Sequence, residues 1–133
     1  MRFFFPRSSR LRRGWEFDSV FRTGDRLRGE LVRLLFLKAE DGVTRIGLAV
    51  GKRQGKSHDR NRGRRVLKEG FRRILPWIRP GVWIVAGLSG TGMRAGSTDV
   101  YEELALLLEG GGFLEPEWPG ANWENPSEGA KEK

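Results

Sequence analysis

Ten of the 22 residues from 52 to 73 are basic, namely Lys52, Arg53, Lys56, Arg60, Arg62, Arg64, Arg65, Lys68, Arg72 and Arg73, against two acids, Asp59 and Glu69. That window alone carries +8, the formal net charge of the whole 133-residue chain. Of the 25 basic residues 19 are arginine, whose planar guanidinium grips phosphate at two points and stacks on bases, where lysine offers a hydrated point charge. A polyanion suits this chemistry. At ~100° per residue on a helix, Arg64, Lys68 and Arg72 form an i, i+4 ladder, Arg65 lies beside it, and Arg62 and Arg73 lie further round on the outer side. Like charges so spaced repel by roughly 0.2–0.5 kcal/mol per pair, a penalty that a nucleic-acid backbone reverses through counterion release. The helix start adds free N–H groups and a positive dipole end beside Arg60, Asn61 and Arg62.

Other chemistry finds few residues to use. The single histidine, His58, and the absence of cysteine exclude disulfides, Cys-ligated zinc, iron–sulfur clusters and a cysteine nucleophile. Without partners, His58 supports neither acid–base nor metal chemistry. Residues 87–96 are glycine-rich but lack Lys-Ser/Thr at the spacing of a phosphate-binding loop. Bland readings stand beside the sharp ones. Arg60 and Arg62 also suit bonds to carbonyls or to Asp59, Phe17 and Phe21 at i, i+4 also suit a core, and Lys52, Arg53 and Lys56 also suit solvent.

The elements that must position these groups follow from periodicity. Residues 15–21 place Phe17, Val20 and Phe21 on one helical face, with Gly24 as a stop. Residues 31–38 (LVRLLFLK) and 43–50 (VTRIGLAV) read as strands joined by Ala39-Glu40-Asp41-Gly42, hence a β-hairpin. In the second strand Ile46, Leu48 and Val50 share one face, and Arg45, Gly47 and Ala49 form a shallow face able to admit a ligand. The longest periodic segment starts at residues 57–59, with Ser57 or Asp59 as cap, and runs to Leu75, with Leu67, Phe71, Ile74 and Leu75 as its apolar stripe. Residues 82–86 (VWIVA) read as a buried strand, so strand, helix and strand predict a parallel pair bridged by the cationic helix. A capped helix is expected from Ser97 to the glycines at 110–112, with Val100, Leu104, Leu107 and Leu108 on one side.

The length predicts one domain, over residues 1–113, and residues 114–133 read as an acidic, disordered tail. Charge is lopsided, with 22 Lys/Arg against 8 Asp/Glu in residues 1–80 and 3 against 9 thereafter. With 38% hydrophobic residues, and no apolar run near the ~18 residues that would cross a bilayer, no membrane role is expected. The start, MRFFFPRSSRLRR, has no signal-peptide core, so a cytoplasmic location is expected.

The stretch VGKRQGKSHDRNRGRRVLKEGFRRIL resembles the RNR signature of the bacterial ribonuclease P protein subunit. RLRRGWEFDSVFRTG resembles that family's opening helix, and TRIGLAVGKR its strand leading into the basic loop, so the likeness covers roughly residues 11–113. The resemblance implies an α+β fold, a small two-layer α/β sandwich. Its mixed sheet of about four strands would pack with three helices, and a left-handed crossover would run through the central basic helix. It implies an accessory subunit of a ribonucleoprotein endonuclease that removes the 5′ leader of precursor tRNA. In that family the RNA subunit performs the hydrolysis with its own Mg²⁺, and neither a tightly held protein metal, protein catalytic residues nor a small-molecule substrate is expected. Carried over by position, Arg60, Asn61, Arg62, Arg64, Arg65, Lys68 and Arg72 would face the catalytic RNA. Phe17, Phe21, Arg33, Leu35, Arg45, Gly47, Ala49, Lys52 and Arg53 would line the cleft for the leader. Aromatic stacking beside cations suits a sequence-tolerant single-strand site, at ~1–3 kcal/mol per stacked base. The chain departs from the pattern at Gly63 and Gly70 in the helix, at Leu35 where a tyrosine is common, and at His58-Asp59. The alternative is a non-enzymatic RNA- or DNA-binding module such as a ribosome-associated protein.

Overall fold

Residues 82–88, VWIVAGL, are apolar toward both sides and therefore need cover on both faces and a neighbour on each edge. In the computed structural model, which describes residues 10–51 and 54–126, they are one of the two inner strands of a four-stranded mixed sheet. The elements are α1 (Gly14–Thr23), β1 (Asp25–Arg28), β2 (Val32–Lys38), β3 (Arg45–Leu48), α2 (Ser57–Ile74), β4 (Val82–Leu88) and α3 (Ser97–Gly110). Sheet order is β1-β2-β4-β3; β4 runs antiparallel to β2 and parallel to β3. The expected α+β architecture and the β3–α2–β4 crossover are thus observed.

The expected hairpin of residues 31–38 and 43–50 is not. β4 inserts between β2 and β3, pairing Phe36 and Ile46 alike with Ile84. The chain from 39 to 44 instead spans the start of β4. Ala39 N–H donates to Gly81 O at 2.8 Å, and the Thr44 hydroxyl donates to Arg79 O at 2.9 Å while accepting from Val82 N–H at 3.2 Å. Turn residues between two strands fit such an arch as well as a hairpin, and the doubly apolar strand took the central place. β1 (DRLR) was not anticipated, because four residues with only Leu27 partly buried carry almost no hydrophobic signal. The caps expected from Ser57 or Asp59 and from Ser97 are also corrected. The N-cap positions are Lys56 and Gly96, and neither makes a side-chain cap bond.

Each sheet face has its own partner. Val32, Leu34, Ile46, Ile84, Ala86 and Leu88 pack against Leu67, Phe71 and Ile74 of α2 and Val100, Tyr101, Leu104 and Leu108 of α3. The opposite face carries Leu35, Leu37, Trp83, Val85 and Ala49 and is only partly covered, by Phe17 and Val20 of α1 and by Leu11. Glu103 of α3 accepts from Leu31 N–H at 2.7 Å and Val32 N–H at 2.6 Å, fixing α3 to the start of β2.

The disordered tail expected over residues 114–133 is corrected over 114–126. Leu114 bridges Ile78, Glu115 N–H donates to Trp77 O at 2.8 Å, and Trp118 is buried in the main core. Trp123 meets the Tyr101 ring at 5.6 Å, and burial pushes the Tyr101 hydroxyl above its ordinary pKa. A tryptophan buries ~150–250 Å² by itself and needs no periodic company, which is why pattern reading passes over it.

Candidate nucleic-acid interface

α2 is a cationic rod seated by its apolar side. Gly63, Val66, Leu67, Gly70, Phe71 and Ile74 are buried along that side, leaving the charged flank at the border with the sheet's other face. At that border lies a groove of about 450 Å³ lined by Asn61, Arg64, Arg65 and Lys68 of α2, Phe17 of α1, and Arg10, Leu11, Ile46 and Leu48. Phe17 reaches it by packing its ring against β3 at Gly47, where an added Cβ would stand 2.6 Å from the ring. Glycine at 47 is thus what lets the aromatic ring down onto the sheet. Arg64 is braced, donating to Asn61 Oδ1 at 2.8 Å and Val50 O at 3.1 Å. Among the described residues, Arg65 and Lys68 have no such bonds and stand exposed.

Other members of the expected RNA-facing set are differently employed. Arg62 turns to the loop before α3, donating to Met93 O at 3.0 Å and Ala95 O at 2.8 Å. Arg60 donates to Gly55 O at 3.2 Å and Ser57 Oγ at 3.3 Å, folding back on the loop that precedes its helix. Arg72 pairs with Glu69 at 2.6 Å. Arg73 pairs with the same carboxylate at 2.9 Å and stacks 3.6 Å over Trp123. Burial works against the Glu69 charge, yet Arg73 and Arg72 together hold its carboxyl below the ordinary range. The ladder read from the sequence is therefore braced at Arg64, open at Lys68 and neutralised at Arg72.

The expected leader-binding residues divide. Phe21, Arg33, Leu35 and Ala49 meet in a second concavity of about 330 Å³, where Phe21 is 46% exposed. Phe17 is the wall of the first groove instead. Arg45 is turned away, to Asp41 at 2.9 Å; hydrogen bonds from Val43 N–H and Arg45 hold the Asp41 carboxyl below its ordinary range. Lys52 and Arg53 lie outside the described residues. The sequence reading missed Arg26, Arg28 and Gln54, which line the second concavity. The alternation of DRLR was the only available signal for the two arginines. Among the described residues no three His, Cys, Asp or Glu side chains gather as a metal site, and no helix is long and apolar enough to cross a membrane.

A cationic helix flanking a half-open sheet face with aromatic walls defines a small basic α+β protein built to hold a polyanion. The chain belongs to the ribonuclease P family, whose model matches residues 5–110. It is 32% identical over 105 residues to the ribonuclease P protein component of Pseudanabaena sp., covering 77% of this chain and 90% of that one. To the ribonuclease P protein component of Legionella pneumophila it is 32% identical over 111 residues, 77% and 95% of the two chains. Among solved structures, the RNase P protein from Thermotoga maritima superposes with a TM-score of 0.67 at 31% identity, covering 75% of this chain and 96% of that one. The Staphylococcus aureus RNase P protein shares the fold at TM-score 0.73 and 15% identity, covering 82% and 100%.

Proposed function

We propose that the chain works as the protein component of ribonuclease P, binding the RNA subunit through α2 and the 5′ leader of precursor tRNA through the half-open sheet face. The observation that carries this reading is the convergence of Asn61, Arg64, Arg65 and Lys68 with Phe17 on one groove, in a chain of this family. Exposed guanidinium and ammonium groups there would exchange condensed counterions for phosphate contacts, giving affinity that falls steeply with salt. Phe21, Arg33, Leu35 and Ala49 would take the leader, the ring stacking a base and Arg33 meeting the backbone.

In this reading the protein breaks no bond. The groove's charged groups are cationic and repel a divalent cation, and the Asn61 carbonyl oxygen accepts from Arg64, so we assign the Mg²⁺ of the reaction to the RNA. The chain's part is to hold substrate and RNA together and to lower the Mg²⁺ concentration that electrostatic repulsion between them demands. A cytoplasmic site of action goes with that role. Reconstitution tests it: the chain added to its RNA subunit at low Mg²⁺ should restore leader removal. A gain no larger than that from a polycation of matched charge would instead favour a general RNA-binding module. Arg65→Ala with Lys68→Ala should flatten the salt slope of RNA-subunit binding by about 1 per residue.

A further inference from the structure

The free positive charge of α2 stops short of the helix end, and chain beyond the family match is what stops it. Arg73, in the last turn, would carry the cationic flank on toward the helix C-terminus, yet its side chain is only 16% exposed. Its guanidinium lies 3.6 Å over the Trp123 ring and donates to Trp123 O at 2.9 Å and to Glu69 O and Oε1 at 3.0 and 2.9 Å. Trp123 is held in turn from α3, where its ring meets Tyr101 and the neighbouring Asn122 N–H donates to the Tyr101 hydroxyl at 3.0 Å. Residues 115–126 thus form a strap that bridges α2 and α3 and is anchored in the core by Trp118. They carry Glu115, Glu117 and Glu124 and no basic residue, and Glu124, next in the chain to the stacked ring, is exposed. A guanidinium stacked and ion-paired in this way has little left to offer a phosphate.

Building on the reading of α2 as the RNA-binding helix, we infer that the strap, through Trp123, sets specificity for the RNA subunit by ending the RNA footprint on α2 at Lys68. A cationic helix binds any polyanion in proportion to the phosphates it neutralises. Discrimination therefore rises when charges that the right partner does not use are taken away. Trp123 is a positioning residue: it acts through Arg73, and through the Glu69 carboxylate that Arg73 shares with Arg72. The partners refused are structured RNAs that would lie along the whole helix.

The test uses the full chain and measures its affinity, across a salt series, for the RNA subunit and for an RNA duplex of unrelated sequence. Trp123→Ala should raise duplex affinity by about threefold at low salt and steepen its salt slope by ~0.7–0.9 for the arginine released, with RNA-subunit affinity held within about twofold. Trp123→Phe keeps a ring under Arg73 and should keep the discrimination. Arg73→Gln should leave both affinities alone in the parent chain and cancel the gain in Trp123→Ala, a pattern that a merely structural Trp123 would not give. Should Trp123→Ala melt early, Trp123→Leu keeps apolar bulk against Tyr101 without a π face and poses the same question. A duplex slope unchanged in these variants, or a loss of RNA-subunit affinity from Arg73→Gln alone, would overturn the inference. Arg65→Ala with Lys68→Ala separates the two levels. If that pair leaves RNA-subunit binding unmoved, the α2 reading itself fails; if it weakens binding while the Trp123 variants leave discrimination as it was, the strap fails alone.

Discussion

Two phenylalanines one helical turn apart have different work. Phe17 lies on β3 over Gly47, whereas Phe21 stands 46% exposed beside Leu35 and Ala49. Phe17→Ala should therefore cost about 1–3 kcal/mol of stability, and Phe21→Ala within about 0.5 kcal/mol, both read from urea midpoints at constant m. An equal cost at both positions would put Phe21 in the core. Spacing alone placed both rings on one face, because i and i+4 adjoin on any helix; it could not say where that face meets the sheet edge. Glu69 offers a pH measurement. Its carboxyl sits below the ordinary 4.5 because Arg73 and Arg72 hold the charge against burial. A depressed folded pKa adds stability that is fully present above the unfolded value and is lost as pH falls through the folded one. Glu69→Gln should accordingly give a shallower loss of stability below about pH 4.5. At neutral pH the difference should be only about 0–1 kcal/mol, since the pair is partly open to solvent. Unchanged acid limbs would mean the two arginines do not depress Glu69 in solution.

The central helix shows how an element can look weakened and yet be fitted. Gly63 and Gly70 each carry a helix-propensity cost of up to ~1 kcal/mol against alanine. Both face neighbours: a Cβ on Gly63 would stand 3.2 Å from Met93 Sδ, and one on Gly70 3.3 Å from Leu104 Cδ2. The glycines are contact points for the loop before α3 and for α3 itself. Arg62 reinforces the first contact by holding two carbonyls of that loop. Arg62→Ala should thus destabilise the fold by about 1–3 kcal/mol, with the Met93 and Ala95 amides showing faster hydrogen exchange. If stability held and RNA affinity alone fell, Arg62 would belong to the RNA face. The RNR pattern marked this helix correctly in the sequence, but a pattern of residue types cannot tell which guanidinium finds a carbonyl before it finds a phosphate.

For the molecule as a whole, the segment after the family match adds to the main core. The family match ends at residue 110, whereas Leu114 and Trp118 are buried with α2 and α3. Trp118→Ala should cost about 3–5 kcal/mol, visible as a fall in thermal midpoint with the RNA-facing groove untouched. A midpoint unmoved by that change would mean the segment packs too weakly to matter.

The sequence by itself determined the charge asymmetry, the cationic helix and its buried stripe, the parallel crossover and the family, because each is written in composition or in the spacing of neighbouring residues. Tertiary structure alone decided that β4 lies between β2 and β3, that Phe17 and Phe21 serve separate hollows, that Arg62 and Arg72 are already engaged, and that three arginines from two strands share one face. Those outcomes depend on contacts between residues far apart along the chain, where periodicity carries no information and packing sets the answer.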